Sequence, residues 1–561
     1  MNHVEKPGST TGTQCIYTPG GPFDQLQRTI YSILPEGSIF IADRIEFKCQ
    51  TVDRILFSFI RIISAGLLLV SHQVIAAEWL VTPSLLLKET YTDNVSLAPT
   101  GDETRDWVTE VDPGIFLTGT SSRLKAKVNY VMQNLFYSHN SSDNSTNNQL
   151  NANANAKLLD EFLFLDANAS VSQQNISLFG AQASDNTNIT RNRANVANYS
   201  ISPYLRHSFD ATASYELRYT HSKFYSDTYW LNNSVEDSAL LDVISGAAFS
   251  TLGWGLHLNK QTTYYDNGQR NGTQIYSGDL RFPITPSFGL TAAKGHENYD
   301  YLSITGLPPE GHFWSAGISW NPSARTSIKA NTGQRFYGKS HFLAATHHSR
   351  NTVWSLNYNE DITTTQSQFI IPGSINTFNY LDQLWTPSIP DPLLRQQYID
   401  NFIRNNNLPT SLASSNNYFT NSYFLQKQWQ ASVAINSAKS TLLLSGYDTL
   451  RIDQSAQTID TIVGSNSFNI DQSTKQIGGI ALWNWRYTPR TNFNVSTTYS
   501  NNLSIPTGIT NITLTMILGM TRQFKPKLHG ALNLRRTYQH PNQLGVGYLE
   551  HAVIASLLMQ F

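Results

Sequence analysis

The sequence predicts an all-β fold: a single up-and-down antiparallel transmembrane β-barrel of about 22 strands, within a range of about 18 to 24. Three observations predict it. Polar and apolar residues alternate in short runs from Trp79 to the last residue, the connections between runs alternate short with long, and the chain closes on an apolar-alternating strand ending in Phe561. Composition agrees, since 14% of the residues are charged against roughly 25% in soluble domains, and 12% are aromatic. The apolar stretch at residues 55–70 is interrupted by Arg61, and one such stretch does not make a helical membrane bundle.

The chain opens with residues 1–53, which hold both cysteines, Cys15 and Cys49, and which this reading leaves unexplained. Residues 54–77 read as a signal peptide: Arg54 supplies the positive n-region, residues 62–70 the apolar core, and Val74-Ile75-Ala76-Ala77 the small-residue cleavage site. A start near Val52 and a mature chain from residue 78 are the expectation, with export leaving no cysteine behind.

The barrel strands are read from their two faces. Leu124, Ala126, Val128, Tyr130 and Met132 alternate with Arg123, Lys125, Lys127 and Asn129; Ala213, Tyr215, Leu217 and Tyr219 alternate with Ser214, Glu216, Arg218 and Thr220. Trp354, Leu356 and Tyr358 oppose Ser355, Asn357 and Asn359, and Ala481, Trp483, Trp485 and Tyr487 oppose Leu482, Asn484 and Arg486. A soluble sandwich would alternate too. The terminal aromatic strand, the short–long connections and the Tyr and Trp near strand ends favour the membrane.

Tight turns are expected near residues 119–121, 159–161, 206–208, 252–254, 348–351 and 437–439, and at Pro286, Pro322, Pro489 and Pro526, because proline cannot donate to a strand ladder. The opposite connections, residues 138–148, 181–193, 227–237, 295–311 and 453–474, are rich in Asn, Ser, Thr and Gly and read as solvated loops. With both barrel termini periplasmic, the strand number must be even, which demands a strand at residues 340–347.

The longest connection, residues 363–421, contains Asp391-Pro392, an N-cap followed by proline at the first helical position. Leu393, Leu394, Tyr398, Ile399, Phe402 and Ile403 then keep one apolar face. Leu394, Tyr398 and Phe402 mark a short helix in this extracellular loop that gates the lumen, docks a partner, or packs on the rim. The last strand, with Leu557, Met559 and Phe561 on one face, has the form of an assembly signal for the barrel-assembly machinery.

Chemistry-bearing motifs are sparse. The chain contains no GxSxG, HExxH, Walker loop or zinc-type Cys/His spacing, and His347-His348 reads as a polar turn, so no enzyme, metal or cofactor is expected. Net charge is −1, which offers no basic footprint for nucleic acid. If the apolar face meets outer-membrane lipid, then Lys125, Lys127, Arg218, Lys329, Arg335, Arg486 and Arg535 line the lumen together with Glu216. They either pair with acids inside the barrel or attract an anionic polysaccharide.

Trp79-Leu80-Val81-Thr82-Pro83-Ser84, Glu89-Thr90-Tyr91-Thr92-Asp93-Asn94-Val95 and Thr109-Glu110-Val111-Asp112-Pro113-Gly114-Ile115 resemble the opening of the outer-membrane β-barrel proteins associated with the PEP-CTERM/exosortase system. Arg335-Phe336-Tyr337-Gly338-Lys339-Ser340, Thr352-Val353-Trp354-Ser355-Leu356 with Glu360-Asp361-Ile362-Thr363, and Pro390-Asp391-Pro392 with Arg395-Gln396-Gln397-Tyr398 look like its middle part. The resemblance covers residues 79–561 and lies in the order and spacing of short motifs. It implies a Gram-negative outer membrane and a setting beside exopolysaccharide biosynthesis, and it supplies no catalytic residues. Two functions follow as expectations: a channel or export component for exopolysaccharide or a related solute, or a structural barrel presenting its loops to surface polymer or sorted proteins.

Overall fold

The computed structural model describes residues 78–228, 232–301, 303–304, 306–364, 381–382, 423–455 and 473–561. The described chain is one closed sheet of 22 strands. In order these are β1 (Glu78–Thr92), β2 (Asp106–Thr120), β3 (Leu124–Tyr137), β4 (Ser145–Leu159), β5 (Leu163–Asn175), β6 (Arg193–Phe209), β7 (Ala213–Ser226) and β8 (Ser234–Ser245). They continue as β9 (Gly253–Tyr265), β10 (Arg270–Thr285), β11 (Phe288–Asp300), β12 (Glu310–Ser323), β13 (Thr326–Arg335), β14 (Gly338–His348) and β15 (Thr352–Thr363). The last seven are β16 (Phe424–Asn436), β17 (Ser440–Asp453), β18 (Thr474–Thr488), β19 (Thr491–Ser504), β20 (Thr510–Lys525), β21 (Leu528–Gln539) and β22 (Tyr548–Gln560). Each pairs antiparallel with its sequence neighbours, and β1 closes on β22 from Ser84↔Gln560 to Thr92↔Ala552.

Closure satisfies every strand edge, and the alternation decides which solvent each face meets. On β3, Leu135 is buried inside while its neighbour Phe136 is exposed outside; on β20 to β22, Leu518, Leu534 and Val553 are exposed outward while Thr513, Arg535 and Glu550 are buried inward. An apolar outer band over a polar interior, with no open edge, is what a lipid bilayer permits, and the chain is an outer-membrane barrel. Aromatic pairs sit along both rims: Tyr91 and Trp107 at one end, 5.0 Å between ring centroids, and Trp485 and Phe493 at the other, 5.9 Å. Rings of this kind sit where headgroups meet hydrocarbon.

The even strand number and the tight-turn end match the expectation. Pro286, Pro489 and Pro526 lie in two-residue connections, and register shifts flank several of these turns, between Pro283 and Thr285, Trp320 and Ser323, Arg486 and Thr488, and Gln523 and Lys525. Pro286, Pro489 and Pro526 each sit in the turn, outside the ladder to which they could not donate, and the bulge lies beside them. The required strand at residues 340–347 is β14.

Several boundaries differ from expectation. Pro322 lies in β12, which runs to Ser323, so the turn follows it; β4 starts at Ser145 and β8 at Ser234, so the loops expected at residues 138–148 and 227–237 are shorter. Residues 206–208 do not turn, because β6 runs on to Phe209, pairing Phe209 with Ala213 and packing the Phe209 ring on Tyr215; the turn follows, with Asp210 at φ +46°. Gly295 lies mid-strand, since β11 continues to Asp300. His347 and His348 close β14 rather than forming a turn, with His347 Nδ1 2.8 Å from Thr326 Oγ1. The leader at residues 54–77, the extension before it, and the helix marked by Leu394, Tyr398 and Phe402 lie outside the described residues.

Candidate lumen site: a loop latched inside the barrel

Residues 176–192, which join β5 to β6, were expected to be solvated over their latter part. They fold into the barrel instead. The loop's neck is closed by Asn192: its side chain accepts from the Ser177 N–H at 2.8 Å and donates to the Ser177 and Ala181 carbonyls at 2.9 and 3.2 Å. A Cβ on Gly180 would come within 2.6 Å of Asn192, so the tight neck needs glycine there. Leu178 and Phe179 are buried against Ile509. Burying that apolar pair draws the loop to the wall, and polar groups then fix its position.

The seat spans β20 to β3. Asn511 donates to the Leu178 carbonyl at 2.5 Å, Tyr548 to the Gln182 carbonyl at 2.5 Å and Asn542 to the Phe179 carbonyl at 3.1 Å. The Gln182 N–H donates to Gln539 at 3.1 Å, Thr187 Oγ1 to Glu110 at 2.9 Å, Tyr137 to the Thr187 carbonyl at 3.0 Å, and Asn188 to Glu550 at 2.7 Å. The loop backbone thereby finds partners away from bulk water.

Charge locks the centre. Arg535 Nη1 lies 2.6 Å from Asp185 and its Nη2 2.9 Å from Glu550, while Lys88 lies 2.5 Å from Glu110 and 3.8 Å from Asp185. Arg193 also donates to the Asp185 carbonyl, and Thr92 donates to Glu550 at 2.9 Å. Glu110, Arg535 and Glu550 have side chains between 0 and 2% exposed, so each charge survives burial only because its partners are in place. Burial alone would raise the Asp185 carboxyl, yet the Arg535 guanidinium and the Lys88 ammonium hold it well below the usual carboxylate range. Asp112, beside Glu110, is buried with neither carboxyl oxygen hydrogen-bonded among the described residues.

All seven basic residues singled out in the sequence fall on the inward face, but they do not form one basic lining. Arg535 is covered by the loop and does not line free lumen. Arg218 pairs with Asp166 at 2.8 Å and Glu216 at 2.9 Å, with its guanidinium 3.8 Å from the Tyr204 ring centroid. Arg335 is held by Glu297, Asp361 at 2.9 Å and the Tyr299 hydroxyl at 3.0 Å. Arg486 donates to the Ala438 carbonyl at 2.5 Å on the tight-turn rim. Lys125 and Lys329 are exposed to the lumen, and Lys127 is half-buried. Beside Lys125 and Lys127, the inward Asn151, Asn153 and Asn155 of β4 are also exposed.

The alternation found the basic residues and Glu216, which pairs with Arg218, but not the other carboxylate partners, nor the latch. Lys88, Glu110 and Glu550 carried a usable signal, being charges on the polar face of otherwise apolar-alternating strands. Asp185 carried none, because a loop aspartate looks alike in water and in a lumen. Among the described residues no group of three His, Cys, Asp or Glu side chains is placed to hold a metal ion.

No protein-family profile matches this chain. No curated protein matches it. Among solved structures, the siderophore receptor PirA from Pseudomonas aeruginosa aligns at 10% identity over 86% of this chain and 80% of its own, with a TM-score of 0.41. The FrpB iron transporter from Neisseria meningitidis aligns at 10% identity over 86% and 82%, with a TM-score of 0.46. A mutant form of the ferric enterobactin receptor PfeA from Pseudomonas aeruginosa aligns at 9% identity over 86% and 80%, with a TM-score of 0.42. At this identity and these scores the likeness carries no inference about ligand.

Proposed function

We propose that the barrel is a passive channel or export component of the outer membrane, serving the surface exopolysaccharide systems with which PEP-CTERM/exosortase barrels are associated, and that residues 176–192 set its aperture. The observation that carries this reading is asymmetry of the inner wall. The loop covers β20 to β3 towards the loop end, while Lys125, Asn151, Asn153 and Asn155 near the tight-turn end remain exposed to solvent. About 22 strands enclose a lumen far wider than one loop. Exposed amides and ammonium groups suit a hydroxylated, anionic polymer by hydrogen bonding and by field focusing. The resemblance of residues 79–95 and 335–363 to the exosortase-associated barrels supports the setting.

Single-channel conductance of the purified barrel in planar bilayers tests the reading. A steady conductance with anion preference, reduced when Lys125, Lys127 and Lys329 are replaced by Gln, is expected; a silent barrel overturns it. A second reading, a docking barrel that displays its loops without transport, is favoured by one observation: Thr449, Arg451, Gln476 and Asn502, inward residues of β17 to β19, are 0% exposed. Persistent silence in bilayers together with polymer binding by whole cells would give that reading the lead.

A further inference from the structure

The outer face of β9 to β12 combines an apolar groove with cations above it. On β22 the outward residues Val553, Ala555, Leu557 and Met559 are apolar and His551 follows towards the long loops, and on β20 Ile512, Leu514, Met516, Leu518 and Met520 are apolar throughout. On β11 the outward series rises through Phe288, Leu290 and Ala292 and then meets Lys294 and His296; on β9 it rises through Trp254, Leu256 and Leu258 and meets Lys260. The apolar belt is therefore shallow here. Two lysines lie on the lipid face in the half of the wall nearer the long loops. No carboxylate among the described residues lies within ion-pair distance of either.

A groove of about 490 Å³ opens beside Lys294, with Asp279 also in its lining. Gly278, outward on β10 between Leu256 and Lys294, contributes no side chain, and a Cβ there would touch only Leu256 and the Gly255 carbonyl, at 3.6 and 3.7 Å. Trp254, Leu256 and Leu280 form the apolar wall, and Lys294 and His312 the polar end. One row above, His296 faces His312 with ring centroids 4.9 Å apart, and His296 Nδ1 is buried without a hydrogen-bond partner among the described residues. An apolar trough ending in unneutralised cations has the complement of an acyl chain carrying a phosphate.

We propose that this face binds a phosphorylated glycolipid of the outer leaflet, one acyl chain lying over Gly278, a phosphate held by Lys294 with His312, and Lys260, two rows higher on β9, meeting the rest of the anionic headgroup. The long-loop end of the barrel faces the outer leaflet, so the cations stand on the side where such headgroups lie. The site is independent of whether the lumen conducts, so its failure and the failure of the channel reading are separable.

Native mass spectrometry of the full chain, purified in mild detergent and titrated with diphosphorylated lipid A, tests this. The wild type should bind, and the K260Q/K294Q double variant and G278L should each bind at least tenfold more weakly. Dephosphorylated lipid A should also bind at least tenfold more weakly to the wild type. Heat-modifiable gel migration confirms that each variant is folded; if G278L fails to fold, the charge variant decides. Unchanged binding in the double variant, or equal binding of phosphatidylglycerol, overturns the proposal. So does a dimer that dissociates in G278L, because the groove would then be a contact between copies.

Discussion

The latched side of the barrel, β20 to β3, and the opposite side, β9 to β14, follow one rule of alternation and are loaded in opposite ways. On the latched side the inner wall is covered by residues 176–192, so its charges are buried in pairs: Arg535 with Asp185 and Glu550, Lys88 with Glu110. On the other side the outer face carries Lys260 and Lys294 above an apolar groove beside lipid. A covered inner charge must find a partner in the protein, whereas a lysine on the lipid face can extend its stem to the headgroups. The same residue type is thus expected to be costly to remove in one place and cheap in the other.

The comparison breaks most visibly at Arg535. Arg535→Met strands Asp185 and Glu550 without their cation and should cost about 3–5 kcal/mol, read by urea unfolding in vesicles, and it should raise conductance as the loop comes away. Lys294→Gln on the outer face should change stability by less than about 0.5 kcal/mol; equal losses from the two would erase the distinction.

The pH response sharpens the same contrast. Asp185 has a folded value below its unfolded one, so its stabilisation is present above the unfolded value and is lost only as pH falls through the folded one. Conductance should therefore hold steady from neutral pH down to about pH 4 and rise only under stronger acid. Asp185→Asn should show the raised level at every pH. Opening near pH 6 in the wild type would mean that another group governs the latch.

A smaller effect separates paired from unpaired acids on the latched side. Asp112→Asn removes a buried carboxylate that lacks hydrogen-bond partners among the described residues and should raise stability by roughly 1 kcal/mol, where Glu110→Gln should lower it. The smallest effect lies at the tight turns, away from both regions. Glu161 sits at φ +59°, a conformation glycine adopts without strain, and Glu161→Gly should gain roughly 0.5 kcal/mol. A loss there would show that the side chain contributes a contact.

Much of the fold was legible in the residues. Alternation with period two, from Leu124 to Met132 and again from Ala213 to Thr220, marks a strand and assigns its faces, and Pro286, Pro489 and Pro526 punctuate the hairpins because proline fits a turn and not a ladder. Parity then required β14. The candidate site was legible only in part: Arg218, Arg335 and Arg535 were placed inside correctly, but their pairing with Asp166, Glu297, Asp361 and Glu550 depends on register, and a shift of one residue would turn each of those acids to the other face.

What the residues determined by themselves was therefore everything that follows from local periodicity: strands, tight turns, an apolar outside and a polar inside. The register on which β1 closes on β22 and the descent of residues 176–192 were decided only in three dimensions. Local pattern states a preference for solvent at each position; it does not state which distant groups will supply it. Asp185 lies 350 positions from Arg535 along the chain, and only a closed sheet brings β21 beneath the loop that leaves β5.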